Sequence, residues 1–193
     1  MRGARLLKPL VFILSLVPIG YLALGALRGT LGANPIEHIT RSTGIWTLRF
    51  MLITLAVTPI RRLVGLNDLV RVRRMLGLFA FFYGSLHLVT YVWLDQFFDW
   101  AAIVKDVSKR PFITAGFSAY VLLVPLALTS TAGMIRRLGG RRWRRLHRLA
   151  YASAAIGILH YWWLVKLDTR PPRNYAILLA VLLLARLFAV RKS

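Results

Sequence analysis

The chain has no cysteine, which rules out disulfides, thiolate metal sites and cysteine-ligated iron–sulfur clusters. Acidic residues are scarce: six Asp and Glu stand against 27 Lys and Arg, giving a formal charge of +21. No glycine-rich dinucleotide fingerprint follows a strand pattern, so the chain is not expected to bind NAD(P)H itself. No catalytic acid, base or nucleophile stands out, no repeat of roughly 20–50 residues is visible, and no segment is of low complexity. The start is basic and then apolar, but no small-residue cleavage site follows. Met1 to Gly20 is therefore read as part of a first span rather than as a removable signal peptide.

What is abundant is apolar. The chain is 58% hydrophobic, with a mean hydropathy of +0.60. Its apolar runs approach the roughly 20 residues that a bilayer demands of a helix. The positive charge falls between these runs, which favours a polytopic membrane protein over a nucleic-acid binder. Helices are the natural way to satisfy backbone polar groups in lipid. The expected fold is all-α, a six-transmembrane helix bundle forming a single domain over residues 1–193. The spans are placed near Leu10–Leu27, Ser42–Pro59, Met75–Leu94, Pro111–Ser130, His147–Val165 and Tyr175–Val190. Pro111 suits a helix start and Pro59 a helix end, while Pro18 and Pro125 fall inside spans and are expected to kink them.

The basic residues give the orientation. One side collects Arg2, Arg5, Lys8, Arg61, Arg62, Arg71, Arg73 and Arg74, the arginine-rich loop Arg136–Arg148, and Arg186, Arg191 and Lys192. The other holds fewer than half as many: Arg28, Arg41, Lys105, Lys109, Arg110, Lys166, Arg170 and Arg173. The positive-inside rule then places both termini in the cytoplasm. Trp93, Trp100, Trp143, Trp162 and Trp163 lie near span ends and read mostly as interfacial anchors. The Arg136–Arg148 loop suits anionic lipid or an acidic partner, though the topology signal alone accounts for it.

His87 and His160 lie within apolar segments of two different spans, and an imidazole in hydrocarbon is costly unless it faces a partner. Two neutral imidazoles on facing helices are a natural pair of axial ligands for a haem iron. His87 follows Arg74, and His160 follows His147, by thirteen residues in each case. That interval is about 20 Å on a helix, so both histidines are expected toward the outer face, with Arg74 and His147 near the cytoplasmic boundary. This register points to one b-type haem at the outer level. His147 is the candidate ligand of a second, inner haem or of a flavin. Arg74 is a candidate partner for a propionate or a flavin phosphate. Arg49, in the outer half of the second span, either snorkels outward or neutralises a propionate of the outer haem. His38 is expected to be solvated in an outer loop beside Asn34 and Glu37. Met51, Met75 and Met134 are read as packing residues rather than thioether ligands.

Four segments together resemble a known family. They are Thr43-Gly44-Ile45-Trp46-Thr47-Leu48-Arg49-Phe50 continuing to Thr58-Pro59-Ile60-Arg61-Arg62; Arg73-Arg74-Met75-Leu76-Gly77-Leu78 running on to Leu86-His87; Lys109-Arg110-Pro111-Phe112-Ile113-Thr114; and Trp143-Arg144-Arg145-Leu146-His147-Arg148-Leu149-Ala150-Tyr151 running on to His160-Tyr161. This set resembles the MsrQ (YedZ) family of haem-binding membrane subunits, within the ferric-reductase-like transmembrane superfamily. The resemblance covers nearly the whole chain. It implies binding of haem b and FMN, residence in the bacterial inner membrane, and electron transfer to the periplasmic molybdenum-cofactor methionine sulfoxide reductase MsrP. The implied donor is the quinone pool or a cytoplasmic flavin reductase. His87, His147 and His160 match the family's histidines. Larger relatives carry two histidines on each of two helices, and here Arg74 stands where the fourth would be. No motif marks the FMN site. The alternatives are a cytochrome b serving another acceptor, such as ferric chelates, and a non-redox membrane scaffold or transporter.

Overall fold

The structure, a computed structural model, describes the backbone of residues 3–190 and side chains between 6 and 186. Arg2, Arg191 and Lys192 from the orientation argument lie outside the described residues, as does the side chain of Arg5. Every regular element among the described residues is helical: α1 Gly3–Arg28, α2 Pro35–Val64, α3 Val70–Val89, α4 Trp100–Lys109, α5 Pro111–Leu128, α6 Ala132–Leu146, α7 Leu149–Leu164 and α8 Arg170–Val190. The chain divides into two compact units, Met1–Asp99 and Trp100–Ser193.

In the first unit α2 packs along α3, with α1 laid against both. The core between them is aromatic: the Phe50 and Tyr83 rings stack with centroids 5.3 Å apart, and Phe50 stacks on Phe79 at 5.7 Å. Tyr83 is fully buried. Its phenol donates to the Ser15 carbonyl at 2.8 Å and accepts from the Ile19 amide at 3.2 Å. Those two backbone groups are one helical turn apart, next to Pro18, which lies inside α1 as expected. Leu10, Ile13, Leu14 and Val17 stay exposed on α1, an apolar surface suited to lipid.

The second unit is built on α5 against α7, with α8 on α7 and α4 on α5. Ser153 on α7 is fully buried and donates to the Ala119 carbonyl of α5 at 2.8 Å. Small residues at this row bring the two backbones close, the usual solution for helices in lipid. Arg186 of α8 donates to the Tyr151 hydroxyl of α7, and its guanidinium lies over the Tyr151 ring.

All six expected spans appear as helices, with four differences. First, α2 starts well before Ser42, because Asn34 caps it by accepting from the Glu37 amide at 3.1 Å. His38 therefore sits in the first turns of a helix rather than in a loop, still exposed. Second, α2 does not stop at Pro59 but runs on to Val64, ending where Gly65 takes the left-handed conformation at φ 73; the proline is carried inside the helix, buried. Third, the basic segment expected as a loop is the helix α6, capped by the Thr131 side chain and kinked at Gly139, φ 73 and ψ 150. Fourth, the expected fifth span begins at Leu149, with His147 in the turn before it.

Among the described residues four helical stretches are long and apolar enough to cross a membrane: Leu6–Arg28, Pro35–Val64, Asn67–Asp95 and Pro111–Leu128. With 16 residues, α7 reaches about 24 Å at the α-helical rise, short of a hydrocarbon core of about 30 Å. With 21 residues, α8 has the length but carries Arg170, Arg173 and Arg186.

Candidate functional site

His87 lies near the end of α3, half-buried against α2. Its Nδ1 lies 2.8 Å from the Thr40 carbonyl oxygen. A carbonyl only accepts, so that nitrogen carries the hydrogen, and the neutral ring keeps its lone pair on Nε2. One turn along α2 from Thr40 stands Gly44. A β-carbon there would come within 3.0 Å of the His87 Cε1 and 3.1 Å of Nδ1. The ring thus lies flat in a notch that only glycine leaves open. Directly after His87 the helix widens into a π-turn, Thr90–Asp95, a feature frequent at functional sites. The Thr90 hydroxyl donates to the His87 carbonyl at 2.8 Å.

The second unit repeats this arrangement. His160 on α7 donates from Nδ1 to the Phe112 carbonyl of α5 at 2.6 Å. One turn on from Phe112 stands Gly116, where a β-carbon would lie 2.8 Å from Nδ1 and 2.9 Å from Cε1 of His160. The Phe112 ring stacks beside the imidazole, centroids 6.2 Å apart. In both units the histidine reaches back to a carbonyl on the preceding long helix, across 47 and 48 residues of chain. The same tautomer results twice.

His147 is held differently. Its Nδ1 donates to the Trp143 carbonyl at 3.1 Å, within its own turn. Its ring stacks on the Trp143 indole with centroids 3.8 Å apart, and Nε2 is buried. The indole Nε1 in turn donates to the Thr129 carbonyl at the end of α5, 3.0 Å away. Trp143 is therefore tied down by a specific bond, whereas Trp93, Trp100, Trp162 and Trp163 are exposed as interfacial anchors would be.

The two candidate arginines are exposed. Arg49 lays its guanidinium 4.7 Å from the Trp46 ring centroid. Arg74 lies on the same unbroken helix as His87, about 20 Å away along the axis at the α-helical rise. Met51 is buried in the α2 core, consistent with packing. Among the described residues no three His, Asp or Glu side chains gather into a metal-binding cluster.

Sequence reasoning found the histidines and missed Thr40, Gly44, Phe112 and Gly116. The available signal was a glycine just inside an apolar helix, followed at nearly equal distance by a membrane histidine, twice. One further atom belongs here. The Thr40 hydroxyl, beside the carbonyl that anchors His87, is buried with no hydrogen-bond partner.

A protein-family model described as "Ferric reductase like transmembrane component" matches residues 43–158. The match takes in His87 and His147 and ends just short of His160. A curated relative from Herminiimonas arsenicoxydans, named protein-methionine-sulfoxide reductase heme-binding subunit MsrQ, is 60% identical over 185 residues, covering 95% of this chain and 85% of the relative. The protein of that name from Ralstonia nicotianae is 52% identical over 191 residues, covering 98% and 88%. The one from Azospira oryzae is 54% identical over 183 residues, covering 94% and 78%.

Proposed function

The chain belongs to the MsrQ group of the ferric reductase-like transmembrane family, and on that premise we propose that it is the haem-binding, electron-carrying membrane subunit of a methionine sulfoxide reductase system. It is a multi-pass membrane protein. In this reading it spans the bacterial inner membrane six times with both termini cytoplasmic, and the two units work as one transmembrane domain. It takes electrons from the quinone pool or a cytoplasmic flavin reductase. It delivers them to MsrP, a periplasmic molybdenum-cofactor enzyme, where the sulfoxide is reduced.

In this reading His87 and His160 are the residues that would hold one haem b. The observation that carries it is the pair of matched anchors, Nδ1 to Thr40 O at 2.8 Å and Nδ1 to Phe112 O at 2.6 Å. Ligating histidines typically donate their other ring hydrogen to a carbonyl, which fixes the tautomer and raises the basicity of the ligating nitrogen. The buried, partnerless Thr40 hydroxyl also fits a bound group with a carboxylate to offer, because an enclosed donor without an acceptor is costly. The residues fit the cofactor. When bound, haem supplies a one-electron centre, and axial ligands and surroundings tune its potential.

The chain's own residues do the rest. The Thr40 and Phe112 carbonyls hold the imidazoles oriented, with the hydrogen on Nδ1. The α2–α3 core, with its stacked Phe50, Phe79 and Tyr83, keeps water out of the interior of its unit. Arg49 is the candidate partner of an outer propionate. His147 and Arg74 are the candidates toward the cytoplasmic side for an inner haem or FMN. His147 shares the tautomer of the other two histidines but has a local anchor rather than an interhelical one, so the first haem is assigned to His87 and His160.

The purified protein, reduced and mixed with MsrP and a methionine sulfoxide substrate, tests this reading. Reoxidation of its b-type spectrum that requires both additions supports it. Reoxidation by ferric chelates but not by MsrP would instead favour the alternative acceptor suggested by the family description.

A further inference from the structure

We propose that Gly44 and Gly116 are positioning residues for the two ligand imidazoles, each fixing the plane and tautomer of one ring. The inference rests on the haem reading above and adds to it the residues that aim the ligands.

Glycine inside a helix costs about 1 kcal/mol relative to alanine, so its presence at both places asks for a reason. Backbone conformation is not the reason: the left-handed glycines of the chain are Gly29, Gly32, Gly65 and Gly139, and neither Gly44 nor Gly116 is among them. Space is the reason. A β-carbon at Gly20, Gly133 or Gly157 would meet nothing within 4 Å, and at Gly77 it would make an ordinary 3.6 Å contact with Thr54. At Gly25 the obstacle is the far end of the Leu31 side chain, which can swing away. At Gly44 and Gly116 the obstacle is an imidazole at 3.0 Å and 2.8 Å.

That imidazole cannot step aside without loss. It is flat and stiff, and its Nδ1 hydrogen is pinned to a carbonyl one turn back on the helix that carries the glycine. A methyl group there would push the ring off its anchor, turn the Nε2 lone pair, and free the ring to exchange tautomers. The same device occurs in both units with no residue in common. The closer contact at Gly116 sets a ranking: alanine there should be felt more than alanine at Gly44.

The experiment uses the full-length, haem-loaded protein in lipid nanodiscs, with Gly44→Ala and Gly116→Ala beside the controls Gly77→Ala and Gly157→Ala. Haem-to-protein ratio, the low-spin ferric electron paramagnetic resonance signal and the midpoint potential are read on each. Loss of an outer-sphere contact to a ligand commonly weakens binding of the metal group by about tenfold or more. We expect that order of weakening at Gly116→Ala and a smaller one at Gly44→Ala. Both should shift the resonance g-values and the potential, while both controls match the wild type. Wild-type g-values and potential in both cradle variants would overturn the proposal. So would failure of both cradle variants to fold while the controls fold, since the glycines would then serve helix packing alone. His87→Ala and His160→Ala are run alongside. If these keep the haem, the haem reading itself falls; if they lose it and the glycine variants are unchanged, only the positioning role falls.

Discussion

Tyr83 of α3 donates to the Ser15 carbonyl of α1 at 2.8 Å, one turn before the Pro18 that this helix carries inside it. The phenol oxygen also accepts from the Ile19 amide at 3.2 Å, so one hydroxyl meets a backbone group on either side of it. Tyr83→Phe keeps the ring stack on Phe50 and leaves these two groups without their phenol partner. Stranding a buried polar group costs about 1–3 kcal/mol. The thermal midpoint of the purified protein, followed by far-ultraviolet circular dichroism, should fall while the haem spectrum persists. An unchanged midpoint would show that the phenol is not the link between α1 and α3.

The Thr40 hydroxyl offers a test by change of sign. It is buried without a partner in the protein, so Thr40→Val, which keeps the shape, should leave haem-free protein as stable as before or raise it by about 1 kcal/mol. If the proposed haem offers this hydroxyl a carboxylate, the same change should lower stability and haem retention in haem-loaded protein. Two thermal melts, with and without haem, decide it; equal shifts in both forms would remove Thr40 from the site.

Trp143 and His147 form a separate unit of behaviour. Trp143→Phe keeps a ring against the imidazole but removes the bond to the Thr129 carbonyl. A loss of about 1 kcal/mol is expected, with the His87/His160 haem signal intact. If that signal were lost with Trp143→Phe, the assignment of His147 to a different cofactor would be wrong.

The proposed orientation rests on charge placement and is checked with fusions. A fluorescent protein at the C-terminus, which folds only in the cytoplasm, should glow. Alkaline phosphatase inserted after Asp168, on the proposed outer side, should be active. The reverse pair of results would contradict the six-span arrangement.

The helices were legible because bilayer thickness sets a minimum run length, and each expected apolar run became a helix. Their ends were less so. Pro59 reads as a stop, yet the helix carries this buried proline through, and the end came at Gly65, where the backbone turns left-handed. The dense positive charge between apolar runs made the arginine segment read as a loop, whereas it is a helix kinked at Gly139. Among site residues, the histidines announced themselves because an imidazole in an apolar run is costly. Gly44 and Gly116 did not, because their role depends on which residues of α2 and α5 meet α3 and α7, and no local pattern reveals that register. Nor does a backbone carbonyl: Thr40 and Phe112 anchor the rings with an atom every residue possesses.

The most direct measurement is the ratio of haem b to protein in the wild type and in His87→Ala, His160→Ala and His147→Ala. The account predicts a reducible b-type spectrum in the wild type, loss of the outer haem in either of the first two variants, and retention of at least part of the signal in the third. A His87→Ala/His160→Ala double variant that kept the full wild-type complement of haem would contradict it.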